Sequence, residues 1–264
     1  MPKGMQIVTG FVTAPDTTLT AWTMAAGDSL AVRNGREGTG IHLLNLWGDN
    51  QTAGRLRVRS PLLHDNVQGI NTHVLASEVQ PLMPMGKGQM LKAQDLLIVE
   101  QSGSATAGDI ESGSLLVYYE DLPGADAKLA SWEQIQGRIE SYMLGTNTLA
   151  TGTAGGYSGE ETIVAEVDQW KANRDYALLG YTVSAECVSV GWRGPDTSNL
   201  RVGGPGNEVF RDITSNWFIA LSMFSGLPCI PIMNAANKSA TLIDAAQDEN
   251  GTDVLVVSIF ALLR

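Results

Sequence analysis

Residues Leu44–Pro61 read LNLWGDNQTAGRLRVRSP, and this stretch decides the fold class. An apolar run leads into a turn rich in Gly, Asn and Asp, and then into a segment in which arginine alternates with Leu and Val. This succession is typical of two neighbouring antiparallel strands. Because alternate side chains of a strand point to opposite faces, Arg55, Arg57 and Arg59 are predicted to project from one face, which is solvated or forms an interface. An anion site is the alternative interpretation.

The stretch has a counterpart later in the chain, at Val188–Pro205, which reads VSVGWRGPDTSNLRVGGP. At a shift of 144 residues, Leu-Arg-Val followed three residues later by Pro occurs at Leu56–Pro61 and again at Leu200–Pro205. Two further apolar segments, Leu115–Tyr119 and Leu255–Ile259, correspond as the last strong strands of their halves. The agreement in order and spacing predicts that one β-fold occurs twice.

Most of the remaining chain reads as short strands separated by Gly, Asn, Asp and Pro, which predicts an all-β sandwich or barrel. The candidate strands are Ser29–Arg33, Ile41–Trp47, Arg55–Arg59, Thr72–Ala76, Leu96–Glu100, Ser114–Tyr119, Thr162–Val167, Tyr176–Val183, Cys187–Trp192, Leu200–Val202, Trp217–Leu221, Thr241–Ile243 and Val254–Phe260. About eight strands in each copy fit a jelly roll. We therefore predict two tandem jelly-roll β-sandwiches.

The segment Ala125–Gly145 departs from the strand pattern. Its apolar residues recur at steps of three and four, which predicts an α-helix. Residues 144–162 follow, rich in Gly, Thr, Ser and Ala, which is the composition of a loop. The predicted organisation is a first jelly roll at residues 1–123, a helical connector with a flexible loop at 124–161, and a second jelly roll at 162–264.

Composition excludes several classes of protein. The chain has 264 residues and is 44% hydrophobic, enough to form a core and too apolar for a disordered protein. Its net charge of −11 is spread over both halves, so direct nucleic-acid binding is not expected. The start of the chain lacks the apolar segment of a signal peptide, and no run approaches the length of a membrane span. Cys187 and Cys229 are expected to be buried and reduced.

No catalytic, cofactor-binding or metal-binding constellation can be assigned from the sequence. The three histidines match no tight ligand motif, and a site built on His64 and Asp65 is a minor alternative. Residues Asp248–Asp253 read as an acidic hairpin turn, with calcium binding as the alternative. The six tryptophans are expected to pack in cores or interfaces, although exposed rings would suit a carbohydrate platform. The candidate interface or external-loop residues are Trp47, Asp49, Arg55, Arg57, Arg59, Trp132, Trp192 and Arg193.

With two predicted jelly rolls, the shared Leu-Arg-Val and Pro signature and the connector between them, the chain resembles the double jelly-roll major capsid proteins of tailless icosahedral viruses. This lineage includes the adenovirus hexon and the coat proteins of membrane-containing bacteriophages. The resemblance implies a non-enzymatic structural protein without cofactors, forming homotrimers of pseudo-hexameric outline that tile a shell. It implies a location in the virion after assembly in the host cytoplasm, with minor capsid or penton proteins and an internal membrane as further partners. The alternatives are a carbohydrate- or receptor-binding β-sandwich and a metal-dependent β-barrel enzyme.

Overall fold

The structure is a computed structural model that describes residues 2–25, 27–63, 67–76, 86–150, 152, 154–157, 160–163, 169–185, 187–207, 209, 211–247 and 253–264. About 49% of the chain is strand and 12% is helix, and the strands form four antiparallel sheets. The prediction of an all-β sandwich fold is confirmed.

The described residues of the first half form nine strands. These are β1 (Gly4–Thr13), β2 (Thr20–Ala21), β3 (Thr23–Met24), β4 (Ile41–Asp49), β5 (Gly54–Arg59), β6 (Ile70–Val74), β7 (Gln89–Met90), β8 (Ile98–Ser102) and β9 (Ile110–Tyr119). They form one sheet in the order β3-β1-β9-β4-β7 and a second in the order β2-β8-β5-β6. With β1, β2 and β4 to β9 lettered B to I, the sheets are BIDG and CHEF, the arrangement of a jelly roll.

The second half repeats this arrangement. Its elements are β10 (Leu129–Ala130), α1 (Trp132–Ile135), β11 (Ile139–Leu149), β12 (Gly156–Tyr157), β13 (Glu161–Thr162), β14 (Asp175–Val183), β15 (Cys187–Arg193), β16 (Val202–Gly206), α2 (Arg211–Thr214), α3 (Trp217–Ser225), β17 (Ile230–Asn234), β18 (Leu242–Gln247) and β19 (Val254–Leu263). The order β11-β19-β14-β17, with β10 added at the edge, is a second BIDG sheet. The order β12-β18-β15-β16, in which β13 also pairs with β18, is a second CHEF sheet.

The two rolls pack against each other through unlike sheets, the BIDG sheet of the first against the CHEF sheet of the second. The first BIDG sheet places one face toward its own CHEF sheet and the opposite face on the second CHEF sheet, where the Ile7 amide donates to the Arg201 carbonyl at 2.8 Å. One hydrophobic cluster fills the first roll. The other fills the second roll and continues across the junction to Ile7, Trp47 and Leu116 of the first. The junction is therefore a buried interface.

The predicted helix over Ala125–Gly145 is wrong in extent. The helix α1 has four residues, a 3-10 turn follows at Gln136–Arg138, and β11 then runs through Ile139–Leu149 as strand B of the second roll. Pairing with β19 along ten residues determines the conformation of this segment, so a tertiary ladder overrides the helical spacing. The segment 144–149, predicted as a flexible loop, belongs to the same strand. The boundaries of the predicted domains stay a prediction.

Two predicted strands also differ from the structure, one strand was not predicted, and one motif match is not structural. Trp217–Leu221 lies in α3, because a short apolar run suits a buried helix as well as a strand. Ser29–Arg33 makes only an isolated bridge at Ala31, and β1 was not predicted. The Leu-Arg-Val signatures are not equivalent either, since the first lies in strand E and the second at the start of strand F.

Candidate assembly surfaces

The junction between the rolls is built from apolar side chains on one sheet and glycines on the other. Strand alternation directs Met5 and Ile7 of β1 away from the first roll's core, and both are at most 1% exposed. A Cβ on Gly191 or Gly203 would lie 3.2 or 3.0 Å from Ile7 Cδ1. The glycines of strands E and F therefore let the second CHEF sheet approach the first BIDG sheet closely.

Trp47 joins the two rolls through both its ring and its polar edge. Its Nε1 donates to the Val188 carbonyl of β15 at 2.7 Å, and its ring packs edge-on against Trp217 of α3 with centroids 6.0 Å apart. The Trp217 Nε1 in turn donates to the Gly203 carbonyl at 3.1 Å. Both indole N–H groups are thus satisfied within an apolar interface, as buried tryptophans require.

A charged cluster lies at the edge of this junction. The Arg201 guanidinium contacts Asp244 of β18 at 2.9 Å and Asp28 of the first roll at 3.2 Å, and it stacks 3.6 Å from the ring centroid of Tyr157. Asp28 also accepts hydrogen bonds from the Tyr157 hydroxyl and the Thr9 amide. Burial raises the pKa values of both Asp28 and Asp244. One guanidinium therefore holds two buried carboxylates, one from each roll.

The arginine row lies on the outward face of the first CHEF sheet, as the alternation predicted. Glu100 of β8 accepts from the Arg59 Nε at 3.0 Å and from the Arg57 Nε at 2.7 Å, and the hydrogen bond from Arg59 contributes most to lowering the Glu100 pKa. Arg55 is exposed beside His73 and borders two shallow depressions of about 510 and 450 Å³. We call this surface the first CHEF face; its residues are Arg55, Arg57, Arg59, Asn71, His73 and Glu100.

The outward face of β11 and β19 in the second BIDG sheet is apolar and exposed, whereas the α2–α3 turn covers the same face over β14, where a Cβ on Gly180 would lie 2.3 Å from the Ser215 carbonyl oxygen. Tyr142 is 64% exposed, Leu144 is 47% exposed and Leu255 is 36% exposed, whereas the alternating residues Met143 and Phe260 are buried in the core. We call this surface the second BIDG face; its residues are Tyr142, Leu144, Thr146, Thr148, Leu255, Val257 and Ile259. None of the seven side chains carries a charge.

A third surface feature is a depression of about 810 Å³ at one end of the first roll. It lies over Glu120, which accepts from Lys87 Nζ at 2.6 Å and the Gly40 amide at 3.0 Å, and pairs with His42 Nε2 at 3.2 Å. The hydrogen bond from Lys87 is the main cause that lowers the Glu120 pKa, to about 2.

The structure places the remaining predicted site residues in different environments. Trp192 is buried inside the second roll, where its Nε1 donates to Ser258, and Asp49 is the buried last residue of β4, so neither lies in an external loop. Trp132 is half-buried at the start of α1. Arg193 pairs with Glu160 and lies 3.9 Å from Asp244. Of the predicted residues, the structure brings together only Arg55, Arg57 and Arg59.

All six tryptophans belong to the described part of the chain, and each is buried or half-buried, so none offers an exposed ring to a sugar. Within the described residues, no three His, Cys, Asp or Glu side chains cluster to hold a metal ion. His64, Asp65 and residues 248–252 lie outside the described residues. None of the described helices is long and apolar enough to cross a membrane.

The sequence pattern does not predict Tyr142, Leu144 or Leu255 as surface residues. The first two were assigned to the apolar stripe or the end of a helix. Residues 142–149 read YMLGTNTL, in which both the outward and the inward sets mix apolar with polar or small residues, so no period-two pattern in the sequence identifies the strand or its face.

Comparisons with known proteins give no family. No protein-family model matches the chain, and no curated protein matches it in sequence. Among solved structures, the PBSX exported protein XepA is 10% identical, with 96% of this chain and 86% of that chain covered and a TM-score of 0.23. The major capsid protein P2 of bacteriophage PM2 is 6% identical over 99% and 98% of the two chains, with a TM-score of 0.22. A Penaeus vannamei nodavirus structure is 10% identical over 99% and 98%, with a TM-score of 0.23. Scores of this size support no statement about function.

Proposed function

We propose that this protein is a structural subunit of a viral capsid, a non-enzymatic major capsid protein that assembles with copies of itself. The observation that carries the proposal is the stacking of two jelly rolls of the same topology in one chain. Each roll has a BIDG and a CHEF sheet, and the junction uses the first BIDG and the second CHEF sheet. The outward face of β11 and β19 and the outward face of the first CHEF sheet are left for contacts with neighbours.

A chain of this form suits a homotrimer of pseudo-hexameric outline. Three copies supply six rolls around an axis, and a head-to-tail contact between copies closes into a ring when its rotation matches that of the junction within the chain. Such a trimer is a tile for hexagonal positions of an icosahedral shell. The acidic balance of the chain keeps unassembled subunits apart and disfavours direct contact with a genome.

The remaining parts of the proposal follow from the role of a shell protein. We propose that the protein is located in the virion, after assembly in the host cytoplasm. Its proposed partners are lattice neighbours, minor capsid or penton proteins and an internal membrane. Carbohydrate binding has less support, because the tryptophans that suggested it are not exposed.

The test is the mass of the purified protein in solution over a wide concentration range, combined with electron microscopy of negatively stained samples. Trimers, or shells with hexagonal units, are the expected result. A chain that remains a monomer at every concentration, and forms no particles when salt or pH is varied, would overturn the proposed function.

A further inference from the structure

We propose that the side chains of Lys128 and Asn237 become joined by an amide bond, with Asp196 carrying the protons that the reaction moves. The product is an isopeptide within one chain, and it forms after folding because only the folded chain brings the three side chains together. This inference goes beyond the proposed function and does not depend on whether the chain assembles. Its starting observation is that a lysine and an asparagine bind the same buried carboxylate.

The three side chains come from separate segments that meet at one end of the second roll. Lys128 directly precedes β10, and Asp196 lies in the 3-10 turn Pro195–Thr197 between β15 and β16. Asn237 lies in the 3-10 turn Ala235–Ala240 between β17 and β18. The Lys128 amide also donates to the Asp196 carbonyl at 2.8 Å, so the backbone itself holds the lysine beside the aspartate.

Asp196 bridges the lysine and the asparagine through its two carboxylate oxygens. Its Oδ1 accepts from Lys128 Nζ at 2.7 Å, and its Oδ2 accepts from Asn237 Nδ2 at 2.9 Å. Oδ2 also accepts from the Asn234 amide at 2.8 Å, which fixes the orientation of the carboxylate. The Asp196 side chain is only 3% exposed, so little water competes for these contacts. The amine and the side-chain amide are thus each one hydrogen bond away from the same proton carrier.

The side chain of Lys128 can move toward the amide carbon of Asn237. It is 49% exposed, so half of its flexible four-carbon stem faces solvent instead of packing in the core. Rotation of this stem brings Nζ from Asp196 Oδ1 to Asn237 Cγ without a change in the backbone. Holding both reactants on one folded scaffold replaces an encounter in solution, which is a large advantage for an unassisted reaction.

The three side chains supply every atom that the reaction needs. Lys128 Nζ gives a proton to Asp196 and attacks Asn237 Cγ; the new N–C bond forms, and the bond between Cγ and Nδ2 breaks. The two protons that Nζ loses pass through Asp196 to Nδ2, which leaves as ammonium, and Asp196 is again a carboxylate. The step needs no oxidant or cofactor. The product ties the segment between the rolls to the loop between strands G and H of the second roll.

The reaction should be slow, because the amine is held protonated in the folded chain. The hydrogen bond to Asp196 is the main cause that raises the pKa of Lys128, and the charges of Asp175 and Asp126 raise it further. The neutral amine that attacks is therefore a minor form. We expect the linked fraction to increase over days after purification.

Intact mass spectrometry of the purified full chain tests the bond directly. We expect the folded sample to become lighter by one ammonia, and protease digestion to give a linked peptide that contains Lys128 and Asn237. A chain that keeps its full mass after days at neutral pH would overturn the proposal. A loss of water that links Lys128 to Asp196 would also overturn it, because Asp196 would then be the bonding partner and not the proton carrier.

Three variants separate the roles of the side chains. Lys128→Arg keeps the cation but lacks the attacking amine, so it should keep its full mass. Asp196→Asn should form the bond about a hundredfold more slowly, because the proton carrier is lost. Lys171→Arg is the matched control, since Lys171 pairs with the partly exposed Glu140, and it should lose ammonia as the wild type does. Circular dichroism checks that the variants fold, and loss of ammonia that persists in folded Lys128→Arg would overturn the proposal.

Discussion

Leu44 and Leu179 are the extra residues of β-bulges at the same position in the two jelly rolls. In the first roll, Leu43 and Asn45 lie opposite the adjacent residues Val117 and Leu116. In the second, Leu178 and Gly180 lie opposite the adjacent residues Phe260 and Ile259. The same irregularity in strand D, against the same pair in strand I, supports duplication of one roll more strongly than any sequence match in the chain, because bulges are specific features of a fold.

The bulge predicts that the chain tolerates deletion of Leu179 better than deletion of a residue from a regular ladder. Deleting Leu179 leaves Leu178 and Gly180 adjacent, which restores a regular ladder without changing the register. We expect a folded chain, destabilised by about 2–5 kcal/mol through the loss of one buried leucine. Deleting Val257 from the regular β11–β19 ladder reverses the faces of neighbouring residues and should prevent folding of the second roll. Circular dichroism and urea unfolding compare the two deletions, and equal damage from both would contradict this account.

Close packing of Gly203 against the neighbouring strand β15, and less severely against Ile7 across the junction, predicts a strong effect of a side chain at this position on stability. A Cβ at this position would lie 2.0 Å from the Val190 carbonyl oxygen and 3.0 Å from Ile7 Cδ1, so Gly203→Ala requires strand F to shift. We expect a loss of about 1–3 kcal/mol in the free energy of unfolding. Gly137→Ala is the control, since no atom lies within 4 Å of its Cβ position. Denaturant titration of both variants measures the difference in their free energies of unfolding. A Gly203→Ala chain as stable as the control would contradict tight packing around Gly203.

Removing the shared guanidinium should destabilise the junction in a pH-dependent way. Arg201→Met leaves Asp28 and Asp244 buried without their cation, and we expect a cost of about 3–5 kcal/mol at neutral pH. Burial already raises the pKa values of both carboxyls, and loss of the arginine raises them further. The folded variant then binds protons more tightly than the unfolded chain, so its deficit should shrink as the pH falls from 7 to 4.5.

Urea unfolding at the two pH values measures this deficit. Arg174→Met is the control, because Arg174 pairs with the partly exposed Glu140 at the protein surface. A deficit of Arg201→Met that is the same at both pH values would exclude proton uptake by the two aspartates.

Glu120 is predicted to give a pH dependence of stability opposite in sign to that of the two aspartates in Arg201→Met. Its pKa in the folded chain is lowered from 4.5 to about 2, chiefly by the hydrogen bond from Lys87. The stabilisation from ionised Glu120 is therefore complete above pH 4.5 and is lost as the pH falls toward 2. We expect the melting temperature of Glu120→Gln to change less than that of the wild type between pH 5 and pH 3. Glu133→Gln, on an exposed position of α1, should follow the wild type; a Glu120→Gln curve parallel to the wild type would contradict the role of this carboxylate.

Two sequence signals agreed with the structure because they depend on local geometry. The alternation at Arg55–Arg59 fixes which side chains share a face of β5, whatever lies on either side of that strand. The last strands of the two halves, β9 and β19, also correspond, since each is a long apolar segment that its sheet buries. Local pattern thus sufficed for the all-β class and for the faces of β5.

The match of Leu56–Val58 with Leu200–Val202 shows where sequence reasoning misled. Arg57 lies within β5 and Arg201 directly precedes β16, so the two arginines belong to different strands. Arg57 nevertheless contacts Glu100 and Arg201 contacts Asp244, and both carboxylates belong to strand H of their roll. The chemistry recurs although the register does not. The loop between strands F and G carries α2 and α3 in the second roll, so no single shift aligns the whole chain.

By itself, the sequence determined the alternating faces and the turns between strands, because each depends on neighbours a few residues apart. Only the tertiary structure decided that Ile139–Leu149 is a strand, since ten paired residues of β19 outweigh a helical spacing. It also decided that Ile7 of β1 is buried while Leu144 of β11 is exposed, although both side chains lie on outward sheet faces. Ile7 is covered by Gly191 and Gly203, which lie more than a hundred residues away in the chain, and no local pattern encodes such a contact.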